Sequence, residues 1–422
     1  MSSALSVGTV TETESEAPRR RLPFWSWPIG LAAVIVLLSV VRLVTGRGDV
    51  SASGTLSAAL AWAMPLALAG LGGLWSERAG VINIGLEGMM ILGTWGAAFG
   101  GLHGGPWTGV LGAIVCGAIG GLVHALATVT FGVDHIVSGV ALNIVALGAA
   151  SYLASRFFGE LEGGSDVQSP PLPSLPKVGI PGISEPLGAV EEKGWFFVSE
   201  LAAIIRAVTT NLSLLTIIAL LLFVGTYWVL WHTPFGLRIR SCGESPAAAE
   251  SLGVNVYLYK YIAVTASGGL AGLGGGFLSM VASNAYREGQ TGGRGYIGLA
   301  AMIFGNWRPG GVLMGSGLFG YMDALQLRGG GAAIHALLLL VAILLLALGL
   351  WQLLRTGRTV QGAIALACGI LVAVFWMLTE TIPGDVTAFA PHLTTLLVLA
   401  LASQRLRMPA ANGKVYRRGD GH

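Results

Sequence analysis

The chain reads as an all-α, polytopic membrane protein, from its composition, its long apolar runs and its glycine content. Hydrophobic residues make up 54% of the 422 and charged residues only 11%, against about a quarter charged in a soluble domain. Mean hydropathy is +0.72. The 64 glycines suit helices that pack closely in lipid through small residues. A net charge of +3 says little about partners, because the basic residues gather in loops and tails where they set orientation. No nucleic-acid partner is indicated. Cys116, Cys242 and Cys368 are far apart with no C-x-x-C, so spacing predicts neither a disulfide framework nor a metal site.

Met1 to Pro18 is rich in Ser, Thr and Glu, and that composition predicts a disordered tail. Arg19-Arg20-Arg21 then precedes Trp25, Trp27 and an apolar run from Ile29 to Val44. A signal peptide shares this basic-then-apolar pattern. The run lacks a clear small-residue cleavage site, Arg42 stands near its end and Arg47 follows it. The preferred reading is an uncleaved first helix after a cytoplasmic tail over 1–28.

Further spans are predicted over 54–74, 81–102, 107–131, 137–158, 211–231, 257–283, 294–306, 311–327, 333–354, 361–381 and 387–404. With the first, this predicts about 10–12 transmembrane helices, in a membrane domain over 29–404 followed by a basic cytoplasmic tail over 405–422. The span at 294–306 falls well short of the roughly 20 residues a crossing needs, so a broken or re-entrant helix is expected there. One long external segment, 159–210, begins Pro-rich (SPPLPSLPKVGIPGISEP) and cannot be helical there. A short helix fits Trp195 to Val208. This segment is a connector or a rim that receives a substrate-delivering protein. LAGLGG occurs at Leu68–Gly73 and again at Leu270–Gly275, a weak internal echo in so Gly-rich a chain.

A polar island, Gly236 to Tyr261, interrupts two long apolar runs. Ser245 stands where an N-cap belongs and Pro246 at the first helical position. Ala247 to Leu252 are helix formers, and Gly253 can take the left-handed conformation that ends a helix. Arg238, Arg240 and Lys260 flank the island, which puts this loop (236–260) in the cytoplasm by the positive-inside rule. Taken alone, the chemistry also fits any capped helix in a cytoplasmic loop.

Gly243, Glu244, Ala248, Ala249, Gly253, Lys260 and Ser267 to Gly272 resemble the conserved cytoplasmic loop of ABC importer permeases. Ser76 to Met90 (SERAGVINIGLEGMM) is similar to the branch of that superfamily that imports nucleosides and simple sugars, within the branched-chain amino acid and sugar permeases. Gly293 to Gln326 and the tail from Pro409 to Arg418 resemble the same branch. The resemblance implies a type II ABC importer permease-like fold. It makes the island a coupling helix docking into an ATPase subunit, carried by Gly243, Glu244, Ser245, Ala248, Ala249, Glu250 and Gly253. It also implies a second, related permease subunit, most simply in a heterodimer, and a substrate-binding lipoprotein. ATP would be bound by the partner ATPases, with no cofactor on this chain. The sequence departs from shorter relatives over 333–381, read as an extra peripheral hairpin.

Within the spans, an ionisable residue is a functional candidate by default, which singles out Glu87. Asn83 lies four residues before it, which predicts both side chains on one helix face. Asn143 sits comparably in its own span. Amide and carboxylate groups suit ribose hydroxyls and base edges, and the rings of Trp95 or Phe304 can stack on a base. The plainer reading is that Asn83, Glu87 and Asn143 are interhelical hydrogen-bond glue. On the substrate-path reading, Glu87→Gln is expected to weaken transport mildly and Glu87→Leu to nearly eliminate it. Asp323 and Glu380 lie near span ends, where paired structural roles are expected. His124 and His335 read as packing residues.

Enzyme motifs are missing. A P-loop needs G-x-x-x-x-G-K-[ST], and none of Lys177, Lys193, Lys260 and Lys414 precedes Ser or Thr. H-E-x-x-H and G-x-S-x-G do not occur. The function expected is a multi-pass permease subunit in the bacterial cell membrane, with both termini cytoplasmic, importing nucleosides by ATP-driven alternating access. A simple-sugar importer is the alternative, and an ion-coupled secondary transporter a more distant one.

Overall fold

The computed structural model describes residues 26–356, 359–387, 389 and 406–419. The amino-terminal tail up to residue 25, and nearly all of the span expected over 387–404, lie outside the described residues. Fifteen α-helices follow one another in the described chain, with a two-stranded ribbon as the only sheet among those residues. Seven of the described helices are long and apolar enough to cross a membrane.

Among the described residues, two expected spans are missing from that number for physical reasons. The glycines of α3 (Leu86–Gly104) dilute its hydropathy, and α12 (Arg294–Phe304) has only 11 residues. α13 (Pro309–Trp351) contains both spans expected over 311–327 and 333–354. Gly330, with φ 57 and ψ −151, divides that helix in two.

The core is built on α2 (Ser53–Arg78) and α11 (Val256–Phe277), which continues through one π-helical turn to Ala282. They cross antiparallel, and the two LAGLGG segments pack directly on each other. A Cβ at Gly72 would lie 2.5 Å from the Ser267 carbonyl, and one at Gly274 2.8 Å from that of Pro65. α3 and α4 (Pro106–Ala125) pack around this pair, and α5 (His135–Phe158) leans on α3. Side-chain caps start several helices: Asp134 accepts from Ile136 and Val137 N–H, and Asn255 from Leu258 N–H. Ser213 does the same for α8 (Leu214–His232). Such caps satisfy the orphan donors of a first turn.

Each core helix is followed by a break. After α2, residues 79–85 leave the helix before α3 begins. After Ala282, residues 283–293 run irregularly to α12. α12 then lies along α2, with Gly298 against Leu66 and Ala69. Two helix–break–helix units of opposite direction therefore face each other, as in transporters built from inverted repeats.

Between α5 and α8, the segment 159–210 is Pro-rich and extended at first. β1 (Lys177–Val178) pairs antiparallel with β2 (Leu212–Ser213). α6 (Ser184–Glu192) starts inside the stretch read as non-helical. Its Pro186 lies in the first turn, where no N–H is needed. α7 is Val198–Thr209. Ion pairs tie this segment down: Arg42 to Glu200 at 2.8 Å, and Arg206 to Glu191 at 3.0 Å.

The second half of α13 lies antiparallel to α14 (Thr359–Leu378), with Gly349 against Gly362 and Leu366, and His335 stacked on Trp376. Ile334 and Leu337 pack against Leu38 and Val41 of α1 (Ser26–Thr45), away from the α2–α11 core.

Candidate functional site

The break after α2 is held open by specific partners. Gly80 has φ +83, a left-handed conformation open to glycine. The Ser76 hydroxyl donates to the Val81 carbonyl at 2.6 Å. Ile82 is clamped at both backbone groups: its N–H donates to His135 Nδ1 at 3.2 Å, and its carbonyl accepts from His124 Nε2 at 3.0 Å. His124 Nδ1 lies 2.9 Å from the Ser138 hydroxyl. These side chains replace the helical bonds that buried backbone must otherwise keep. His124 is therefore more than a packing residue.

Asn83 lies inside this break, before α3, so it does not share a helix face with Glu87. The two glycines, Gly80 and Gly85, and the histidine clamp override the helical pattern on which that expectation rested. Asn83 is fully buried. Its Nδ2 donates to the Ser267 hydroxyl at 2.9 Å and to Met89 Sδ at 3.4 Å, while Oδ1 has no partner.

Glu87 stands in the first turn of α3, buried at 7% exposure. Its two oxygens accept from two different amides of α12: Oε1 from Gly293 N–H at 2.9 Å, and Oε2 from Gly295 N–H at 2.6 Å. Two helix N-termini, each with a positive partial charge, meet here with one carboxylate between them. The approach needs glycine, since a Cβ at Gly295 would fall 2.6 Å from Glu87 backbone atoms.

Asn143 locks the same junction from α5. Its Oδ1 accepts from Gly88 N–H at 2.7 Å, and its Nδ2 donates to the Ile84 carbonyl at 3.0 Å and the Tyr296 hydroxyl at 2.8 Å. α12 spans about 16 Å at 1.5 Å per residue, roughly half a hydrocarbon core. Its far end reaches the ring of basic residues Arg78, Arg240 and Arg308. The Glu87 junction therefore lies about 16 Å along α12 from the basic end.

The structure brings Asn83, Glu87 and Asn143 together but not the two aromatic candidates. Trp95 lies two turns further along α3, stacked on Phe99 at 5.0 Å, with its buried Nε1 unpartnered. Phe304 closes the opposite end of α12, 6.2 Å from Phe319.

A second junction forms at the basic end of the bundle, and the sequence did not point to it. Buried Glu77 Oε2 accepts from Trp307 Nε1 at 2.7 Å and from Asn412 Nδ2 at 2.8 Å. Arg78 donates twice to the Trp307 carbonyl, at 3.1 and 2.6 Å, and its guanidinium lies 5.3 Å from the Trp231 ring centre. Arg240 lies 5.6 Å from the same ring. The pairing of Glu77 with Asn412 spans most of the chain, so no local pattern could reveal it.

α9 (Pro234–Glu244) and α10 (Pro246–Ser251) form the polar island. Ser245 occupies the N-cap position of α10 in extended conformation without a side-chain bond, and Pro246 is at the first helical position. Gly253 has φ +81. Its N–H donates to the Glu250 carbonyl at 2.8 Å, and Val254 N–H to that of Ala249 at 3.0 Å, the paired bonds of a Schellman ending. Gly243 packs its backbone on that of Arg78, where a Cβ would lie 2.2 Å from the carbonyl oxygen. Glu244 accepts from Ala410 N–H at 3.2 Å. Ala248 is exposed and Ala249 buried beside Cys242 and Val256. Burial pushes the Cys242 thiol up to about 11.

Glu250 receives the Tyr416 hydroxyl and, at 3.0 Å, Arg418 Nε. The Tyr416 hydrogen bond first, then Arg418, holds this carboxyl below the ordinary range. Lys260 is not a surface charge of the loop. It is buried, with Nζ 5.9 Å from the Tyr416 ring centre.

Breaks, facing helix N-termini and a polar basic end are the parts of a membrane permease. The branched-chain amino acid transport system permease component family matches residues 55–348, and the chain belongs to that family. It is 38% identical over 370 residues to the guanosine ABC transporter permease protein NupQ of Bacillus subtilis, covering 86% of this chain and 96% of that one. It is 35% identical to the nucleoside ABC transporter permease protein NupC of Lactococcus lactis, over 64% of this chain and 81% of the relative. A putative glucose ABC transporter permease protein of Haloferax volcanii, TsgC13, is 35% identical over 66% of this chain and 78% of its own length. No solved structure matches the chain. The protein is thus a multi-pass transport subunit and not an enzyme, and ABC permeases of this kind work with separate ATPase and substrate-binding partners.

Proposed function

We propose that the chain is the permease subunit of an ATP-driven importer of nucleosides. The observation that carries this reading is the meeting of two broken helices around Glu87, the place where transporters of such architecture bind their solutes. Relatives named for guanosine and nucleoside transport support nucleosides over the glucose alternative. On this reading the basic end is cytoplasmic, as Arg78, Arg238, Arg240 and Arg308 favour, and both termini lie on that side. α10 is the coupling helix. Its exposed Leu252, 85% accessible at the tip, suits insertion into an ATPase cleft, and Gly243 to Gly253 form the docking element. The path runs past Asn83, Glu87 and Asn143, with Trp95 above and Phe304 below. Asn83 Oδ1 and Trp95 Nε1, both buried without partners, offer an acceptor and a donor to a solute. A second, related permease completes the path, and a binding lipoprotein delivers the solute. An ion-coupled carrier is disfavoured because it would need no ATPase-docking element such as Gly243 to Gly253.

The test is uptake of labelled guanosine and glucose into cells lacking their own carriers, with and without the ATPase partner. ATPase-dependent guanosine uptake, displaced by unlabelled nucleosides and not by glucose, is expected. Glucose uptake without nucleoside uptake would overturn the substrate assignment.

A further inference from the structure

Residues 406–419 form neither helix nor strand, yet they are fastened to several elements at the basic end. Arg407 N–H donates to Asn306 Oδ1 at 2.7 Å, between α12 and α13. Ala411 N–H donates to the Gly243 carbonyl at 2.9 Å, and Gly413 N–H to the Gly80 carbonyl at 3.3 Å. Asn412, itself buried, reaches Glu77, and Tyr416 and Arg418 grip Glu250 on α10. Ordering such a polar segment costs backbone entropy, which these bonds and the burial of Ala411 and Asn412 offset.

The elements it joins are those that transport must move together. Its distal part holds α10. Its middle holds Gly80 and Glu77, where the chain leaves α2 for the break that contains Ile82 and Asn83. Its proximal part holds the end of α12, whose other end caps on Glu87. Gly243 meets Arg78 and Gly80 through backbone atoms, and Gly243 and Gly80 meet the tail in the same way. Tightly packed elements shift as units rather than deform.

We propose that residues 406–419 are a coupling strap: displacement of α10 is carried through the tail to Gly80 and Glu77, so that α10 and the tail together link the ATPase to the substrate path. Asn412 and Tyr416 are its positioning residues. The proposal rests on the reading of α10 as the coupling helix.

The experiment uses the assembled transporter in vesicles. Asn412→Ala, Tyr416→Phe and a chain ending after Met408 are compared with Gly253→Pro and the parent. Copurified ATPase, ATP hydrolysis and guanosine imported per ATP are measured. The strap predicts that Tyr416→Phe and Asn412→Ala retain the ATPase and hydrolyse ATP while importing on the order of 5-fold less solute per ATP. The truncated chain is expected to show the same uncoupling more strongly. Unchanged import per ATP in both point variants overturns the strap, and so does loss of the ATPase in parallel with uptake, which marks the tail as a docking surface instead. Gly253→Pro separates the two readings. Normal uptake there removes the coupling-helix assignment, whereas loss there beside unchanged tail variants removes only the strap.

Discussion

Glu77 and Glu87 stand on either side of one break, and both carboxylates are buried, but they are held in different ways. At Glu87 each oxygen takes its own backbone amide, Gly293 to Oε1 and Gly295 to Oε2. At Glu77 the Trp307 and Asn412 side chains converge on Oε2 alone. The first contact needs two acceptors in fixed places, and the second needs one oxygen with two lone pairs. A carboxylate between two helix N-termini also meets their charge, whereas the Glu77 site binds neutral side-chain donors. The Glu87 junction thus depends on two acceptor oxygens in fixed places, and the basic-end junction on the reach of the tail.

The largest effect that this contrast predicts is at Glu87→Leu. Two buried amides lose their acceptors at about 1–3 kcal/mol each, so thermal unfolding of the purified complex should fall by roughly 4 kcal/mol and guanosine uptake should vanish. Stability within error of the parent would mean that α12 finds another cap.

Gly295→Ala tests the close approach without touching the carboxylate. Its Cβ would press on the Glu87 backbone, and overpacking of this kind costs about 1–3 kcal/mol. Reduced uptake with normal membrane insertion is expected, and a neutral result would show that the two helix starts can separate.

Asn143→Ala removes three hydrogen bonds from the same junction but leaves Glu87 in place, for a loss of about 1–2 kcal/mol. Calorimetry or heat-dependent aggregation would read it. A larger loss than at Glu87→Leu would make α5 the main support of the junction.

The smallest effect concerns pH at the basic end. Glu250 is held below its ordinary 4.5 by the Tyr416 hydroxyl and Arg418. A depressed carboxyl contributes stability above the unfolded value, and that contribution is lost as pH falls through the folded one. Spin labels on α10 and the tail should keep their separation from about pH 8 to about pH 6 and move apart only in more acid solution. Separation near neutrality would assign the contact to another group.

Much of the membrane domain was legible in the sequence because hydropathy, glycine content and helix punctuation are local. Ser245, Pro246 and Gly253 stand where their chemistry placed them around α10. The shortness of α12 was legible too, since 11 residues cannot cross a bilayer. The break at 79–85 was not. Val81 to Gly85 continues an apolar pattern, and what stops the helix is remote: His124, His135 and Ser267 come from other helices. Glu87 was singled out by its charge alone, and its partners on α12 lie far along the chain. The separation of 311–327 from 333–354 was legible as well, and it falls at Gly330, whose torsions are not helical. Glu77, Trp307 and Asn412 each lie in a stretch that carried the family resemblance, but their pairing was not legible because they are distant in sequence, and Lys260 reads as a loop charge unless Tyr416 is known to cover it.

The measurement that bears most directly on the difference between the two junctions is a paired one, Glu87→Gln beside Glu77→Gln, in thermal unfolding and guanosine uptake. A carboxamide at 87 keeps one acceptor and turns an NH2 toward an amide N–H, so a loss of about 2–3 kcal/mol and most of the uptake is expected, rather than the mild effect that shape and hydrogen bonding alone suggest. A carboxamide at 77 keeps the one oxygen that both donors share, and a change under about 1 kcal/mol is expected with uptake largely retained. Equal losses at the two positions, or a tolerant Glu87→Gln beside a damaging Glu77→Gln, would contradict the account.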